Sequence, residues 1–229
     1  MKRILITAGA TSEPIDAVRA ITNNATGKLG SYIADFAVKQ GIEVHYVSGA
    51  NACQPSQPVK HYVTTGVDSV LGVLDQLMSR YHYDAIIHSM AISDYRVAAT
   101  AQYQGSNLTK IVAQDAHQKL PSSNDHLAIL LEPSPKVIGN IKKKQPETHL
   151  VGFKLLSQVS VDTLVRVAQN LMIKNDCSFV VANDAADISG DRHRGYIVDE
   201  KGIMKQYETK ETLAHGILQE IQNLWIKKQ

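Results

Sequence analysis

Asn23, Asn24, Thr26, Gly27 and Lys28 stand together in TNNATGKLG, residues 22–30. Carboxamides, a hydroxyl, a glycine and an ammonium in one short polar run can gather a negatively charged ligand. A helix that starts at Thr26-Gly27 would aim its free backbone N–H groups at that ligand, with Lys28 beside them. The alternative is structural, with Thr26 serving only as a cap. Asp94 in SMAISDYR and the pair Asn183-Asp184 in VVAND each follow an apolar stretch. Both places fit the rim of a ligand crevice, although an Asp after a strand is also an ordinary turn residue.

Spacing disfavours the other chemistries. With Gly9 as the first glycine, a dinucleotide fingerprint would need glycines where Thr11 and Pro14 stand. A Walker A loop ending at Gly27-Lys28 would need a glycine at Thr22 and a hydroxyl residue at Leu29. The nine histidines form no HExxH pair, no GxSxG elbow is present, and Cys53 and Cys177 make no CxxC. Hydride transfer, metal-assisted hydrolysis and serine hydrolysis therefore lack their signatures, and anion and nucleotide handling remains.

The elements that must position these residues follow a strand–helix alternation. Ile4-Leu5-Ile6 reads as a strand buried on both faces, with Gly9 allowing close approach at its end. A connection of roughly 18 residues follows, containing Asp16, Arg19 and Asn23, and its length and polarity mark a functional loop. A helix over 31–40 stopped by Gly41 and a strand over 43–47 complete one βαβ unit. The pattern then predicts a helix over 67–80 and a strand over 83–87. Residues 94–131 turn polar, with short β-like pieces at 110–113 and 127–131, and read as a flap or hairpin excursion. A helix beginning at Pro135 and running through Lys144, a strand at 149–153, a helix over 161–173 and a strand over 178–182 follow. A hairpin pairing 196–198 with 203–206 and a helix over 210–226 close the chain. The fold class is α/β: a doubly wound, mainly parallel sheet in one domain, with its crevice at the strands' C-terminal ends.

Composition sets the outer bounds. Hydrophobic residues make up 44% and charged residues 20%, and the formal net charge is +2. That is an ordinary globule with no nucleic-acid footprint, and Lys142-Lys143-Lys144 suits a solvated helix end. No apolar run reaches the roughly 18 residues of a membrane span, and no signal-peptide core precedes the first strand, so the cytoplasm is the expected compartment.

The motifs together resemble the phosphopantothenate-cysteine ligase family, in its free-standing bacterial form. ITAGATSEPIDAVRAITNNATGKLG is similar to the family's TAGGTxExxDxVRxIxNxSSGxxG. VSG at 47–49, AISDYR at 91–96, PKVI at 135–138, VGF at 151–153, IKN at 173–175 and VVAND at 180–184 follow in family order. The resemblance implies a Rossmann-like homodimer that joins 4′-phosphopantothenate to cysteine with CTP, through an acyl-cytidylate, in coenzyme A synthesis. It implies that Asn23 holds the activated substrate, with Gly9, Ala10 and Thr11 as the adjoining wall. It places Asp94, Pro135, Lys136, Val137, Ile138, Phe153 and Lys174 at the nucleotide. Lys119 is the one lysine retained from the family's KxKK flap, here Lys119-Leu120-Pro121-Ser122, and Asn170 replaces another family lysine. Mg²⁺ is implied with the nucleotide, and Asp94 could meet metal, ribose or base. A separate decarboxylase is expected, since the flavin-dependent domain of bifunctional relatives does not precede Met1. The competing readings are an NAD(P)-binding oxidoreductase on the same sheet and a nucleotide-binding module without turnover.

Overall fold

The computed structural model describes residues 1–104, 107–113, 119–120, 126–189 and 192–227. The chain opens with β1 (Arg3–Ala8), a small hairpin of β2 (Ser12–Pro14) and β3 (Ala20–Thr22), then α1 (Lys28–Lys39) and β4 (Glu43–Gly49). Next come β5 (Lys60–Thr64), α2 (Val67–Arg80) and β6 (Ala85–His88), followed by β7 (Tyr95–Gln104), β8 (Asn107–Ala113) and β9 (His126–Pro133). The remainder is α3 (Ile138–Lys144), β10 (His149–Leu156), α4 (Val161–Asn175), β11 (Phe179–Asp184), a 3₁₀ turn, β12 (Ile188–Ser189), β13 (Arg192–Asp199), β14 (Gly202–Thr209) and α5 (Lys210–Lys227).

The parallel strands lie in the order β5-β4-β1-β6-β10-β11. Counted along the chain, that is the order 3-2-1-4-5-6 of a doubly wound dinucleotide fold, with its switch point between β1 and β6. β13 adds antiparallel to β11 and carries β12 and β14, giving nine strands among the described residues. Both faces are covered. Ile4, Ile6 and Ala8 pack with α1 and α5, while Leu5 packs with α2, α3 and α4. A strand covered on both sides needs no polar alternation, which is why ILI reads as an unbroken apolar run.

The excursion at 94–131 is a separate three-stranded antiparallel sheet, with β7 in the middle between β8 and β9. Its strands are longer than the short pieces expected, and β7 carries an alternation of Tyr95, Val97, Ala99, Ala101 and Tyr103 with Arg96, Thr100, Gln102 and Gln104 that the polar reading of this stretch misses. Three further elements depart from expectation. The loop after β1 holds the β2–β3 hairpin, whose three-residue strands are too short for a periodic signal. Edge strand β5 is mostly exposed and so lacks an apolar run. Pro135 does not begin α3: Ser134 N–H is still bonded to the Asp94 carbonyl at 2.8 Å, and regular helix starts only at Ile138. The lysine run does end α3, where Lys142 donates to the carbonyls of Pro146 and Thr148 and Lys144 pairs with Asp75. No helix among the described residues is long and apolar enough to cross a membrane.

Candidate functional site

Three backbone segments converge at the C-terminal ends of β1 and β4. Gly9 and Gly27 have φ of 77° and 73°, the left-handed region that favours glycine. A Cβ on Gly27 would lie 2.9 Å from the Gly9 nitrogen, and one on Gly49 would lie 2.3 Å from the Ala10 carbonyl oxygen. Cys53 N–H donates to the Thr26 carbonyl at 2.8 Å, and the Tyr46 hydroxyl donates to the Cys53 carbonyl at 2.9 Å. The start of α1 is thus pressed onto the end of β1. Gly27 occupies its N-cap position and no side chain caps it. Thr26 Oγ1 reaches Lys28 N–H only at 3.4 Å, so its capping role is weak. This helix start is where the anion site expected of TNNATGK falls.

The loops after β1 and β6 are stitched across the switch point. Ala91 N–H donates to the Gly9 carbonyl at 2.8 Å, and Thr11 N–H to the Ala91 carbonyl at 3.1 Å. The Thr11 hydroxyl accepts from Ser93 N–H at 2.9 Å, and the Thr11 carbonyl accepts from the Thr22 hydroxyl at 2.8 Å. Thr11 is fully buried and its backbone and hydroxyl are all engaged, so it fixes its neighbours in place. Asn23, exposed, follows Thr22 on one side of this knot; Asp94, exposed, follows Ser93 on the other. Lys136 Nζ donates to Asp94 Oδ1 at 2.5 Å. Lys119 is exposed, and the next residue, Leu120, bonds Asp16 through its N–H at 3.1 Å, on the hairpin that leads to Asn23.

The remaining candidates divide between the faces. Val137 and Ile138 pack on the α2–α4 side, with Val137 buried, so Val137 offers a ligand its backbone only. Phe153, half-buried, packs on the α1–α5 side. The two groups are not brought onto one face; a ligand touching both would straddle the sheet's C-terminal edge. Pro135 is exposed ahead of α3. Lys174 is exposed in the last turn of α4, whose Asn175 side chain would lie 3.7 Å from a Cβ on Gly139 of α3, so this helix end adjoins the Pro135–Ile138 segment. Asp184 proves to be a structural clamp. Its carboxylate accepts N–H bonds from Gln158, Val159 and Ala186 at 2.8–2.9 Å, which hold it below the usual carboxylate range.

His88, at the end of β6, gave no sequence signal because it continues an apolar run. Its Nδ1 lies 2.9 Å from Thr7 Oγ1, which also accepts from Met90 N–H at 3.3 Å, so the Thr7 hydroxyl hydrogen is left for the imidazole. Burial pushes its pKa down to about 4, keeping it neutral. Among the described residues no three His, Cys, Asp or Glu side chains cluster as a metal cage. Asp94 is the exposed carboxylate at this mouth, already paired with Lys136, and a nucleotide-borne Mg²⁺ that keeps most of its waters would need only one such oxygen.

Residues 1–224 match the family described as DNA/pantothenate metabolism flavoprotein C-terminal domain. The coenzyme A biosynthesis bifunctional protein CoaBC of Thermococcus kodakarensis is 31% identical over 224 residues, covering 97% of this chain and 51% of that protein. The chain spans about half the length of the curated relatives it matches. The crystal structure of the DNA/pantothenate metabolism flavoprotein from Streptococcus pneumoniae superposes with a TM-score of 0.87 at 34% identity, over 98% of this chain and 100% of that one. The C-terminal domain of a CoaBC protein follows at 0.73 and 26%, over 99% and 96%.

Proposed function

The chain belongs to the DNA/pantothenate metabolism flavoprotein C-terminal domain family, and from that membership we propose that it is a ligase joining 4′-phosphopantothenate to cysteine with CTP. The observation that carries this reading is the hydrogen-bonded knot at the switch point, which sets Asn23 and the Asp94–Lys136 pair on either side of Thr11. Those are the groups needed to hold two anions, a carboxylate and a nucleotide triphosphate, against each other's repulsion.

In the first half-reaction a carboxylate oxygen of phosphopantothenate forms a bond to the α-phosphorus of CTP, and pyrophosphate leaves with the bonding pair. The Asn23 amide holds the carboxylate and then the acyl-cytidylate, the α1 start faces negative oxygens, and Lys119 and Lys136 neutralise the charge that develops. Phe153 gives the base an apolar surface, while the Pro135–Ile138 backbone and Lys174 hold the nucleotide from the other side of the sheet edge. Mg²⁺, with Asp94 as its one protein carboxylate, would screen the phosphates. In the second half-reaction the cysteine nitrogen attacks the acyl carbon, CMP departs, and the ammonium formed loses its proton to solvent.

The described residues act as one ligase domain with the three-stranded sheet as its arm. Tyr95, Leu130 and Leu131, 41–58% exposed on that arm, support a homodimer. A cytoplasmic site and a separate decarboxylase acting on the product complete the proposal. The test incubates the protein with 4′-phosphopantothenate, cysteine, Mg²⁺ and either CTP or ATP, and follows pyrophosphate. CTP-dependent release is expected; no nucleotide-dependent release overturns the reading, and release with ATP alone overturns the CTP preference.

A further inference from the structure

One carboxylate organises the turn between β2 and β3 and also reaches across the molecule. Asp16 Oδ1 accepts from Val18 N–H at 2.9 Å and from Arg19 N–H at 2.8 Å, as a local Asx-type turn requires. Its other oxygen accepts from Arg19 Nε at 2.9 Å and from the backbone N–H of Leu120, 104 positions away, at 3.1 Å. The Leu120 carbonyl accepts in turn from Arg19 Nη2 at 3.4 Å. The Asp16 side chain has no exposure to solvent, while that of Arg19 is 44% exposed. An acid–guanidinium pair therefore holds both hydrogen-bonding groups of one flap residue, much as a neighbouring strand would. The turn itself needs only the first oxygen, so its stability does not account for the second.

We propose that Asp16 is the positioning residue of the flap, gripping Leu120 so that Lys119, one residue earlier, is seated beside the mouth that holds Asn23. The hairpin fixes the geometry at both ends: the Asp16 turn anchors the flap, and β3 ends at Thr22, whose hydroxyl is tied to Thr11. Bonds to a carboxylate and a guanidinium are stronger than neutral ones, which suits a contact that holds one residue in register against a distant hairpin. The Lys119 part of the inference rests on the ligase reading; the grip on Leu120 does not.

The test compares the wild type with Asp16→Asn and Leu120→Pro. An asparagine carbonyl can still accept from Val18 and Arg19, but its NH₂ group cannot accept from Leu120. Expected in Asp16→Asn are faster hydrogen exchange at the Leu120 amide and faster acetylation of Lys119, with hairpin amides protected as in the wild type. The kcat for pyrophosphate release should fall about ten- to a hundredfold with KM for cysteine unchanged. Leu120→Pro removes the N–H without touching Asp16 and should reproduce the kcat loss, which covers the case in which Asp16→Asn perturbs the turn. Wild-type Leu120 exchange in Asp16→Asn, or wild-type kcat in both variants, overturns the proposal. A wild-type protein that releases no pyrophosphate would overturn the ligase reading, and Leu120 exchange would then decide the grip by itself.

Discussion

At the scale of single residues, the exposed and the buried polar groups divide the work. Asn23 is exposed and held in place through its neighbour Thr22, so Asn23→Ala should leave the melting temperature unchanged. Removing one donor from a developing negative charge typically costs two orders of magnitude or more, so pyrophosphate release should fall about a hundredfold. An unchanged rate would remove Asn23 from the chemistry. Glu13 is the opposite case. It is buried on β2, and its Oε1 accepts from Val67 N–H at 3.0 Å, capping an α2 whose own N-cap residue, Gly66, has no side chain to do so. Glu13→Ala should lower stability by about 1–2 kcal/mol, read from the urea midpoint, with activity following only through the hairpin. Sequence alone marks Asn23 because its type and loop context are local. It places Glu13 and Asp16 in the same loop and motif but does not reveal what they hold, because their partners are 54 and 104 positions away.

Among elements, the glycine contact between the start of α1 and the end of β1 is the most exacting. Gly27 and Gly41 share nearly the same positive φ, 73° and 74°, but a Cβ on Gly27 meets the Gly9 nitrogen at 2.9 Å while one on Gly41 meets nothing within 4 Å. Gly41→Ala should therefore show only left-handed strain, about 1–2 kcal/mol. Gly27→Ala should exceed it in thermal or urea unfolding and should also raise the KM for nucleotide or phosphopantothenate; equal losses in the two variants would deny the crowding. The βαβ alternation is legible because strands buried on both sides and helices with one apolar face leave strong periodic signals. The β2–β3 hairpin and β5 are not, because the hairpin is fixed by partners such as Thr65, which accepts from Ser12 N–H at 3.1 Å, and β5 is an edge with little to bury. The same reasoning explains why α3 begins later than its proline suggests: the pairing of Ser134 with Asp94 outweighs the local preference.

For the molecule as a whole, neutral histidines set the response to acid. Burial holds His88 and His193 at about 4, below the ordinary 6.5, and lowers His45 as well. The unfolded chain takes up these protons first, so their contribution is intact above about 6.5 and is lost as pH falls toward about 4. Melting temperature should accordingly drop between pH 7 and pH 5, and His88→Gln should flatten that slope; an equal slope in the variant would remove His88 as a source. Glu43 acts lower on the scale, held down to about 2 by Lys60 and Arg3, so its share disappears only below about 4.5.

The placement of α5 bears on how such a chain emerges from a ribosome. Leu213, Ile217, Ile221 and Trp225 close the face opened by Ile4, Ile6 and Ile33, and the Trp225 indole N–H lies 3.4 Å from the Asp84 carbonyl. β1 thus waits for α5, about 200 residues later in the chain, to shield it from water. Nascent chains halted short of residue 210 would carry a bare greasy flank, a natural handle for chaperones and for mutual sticking.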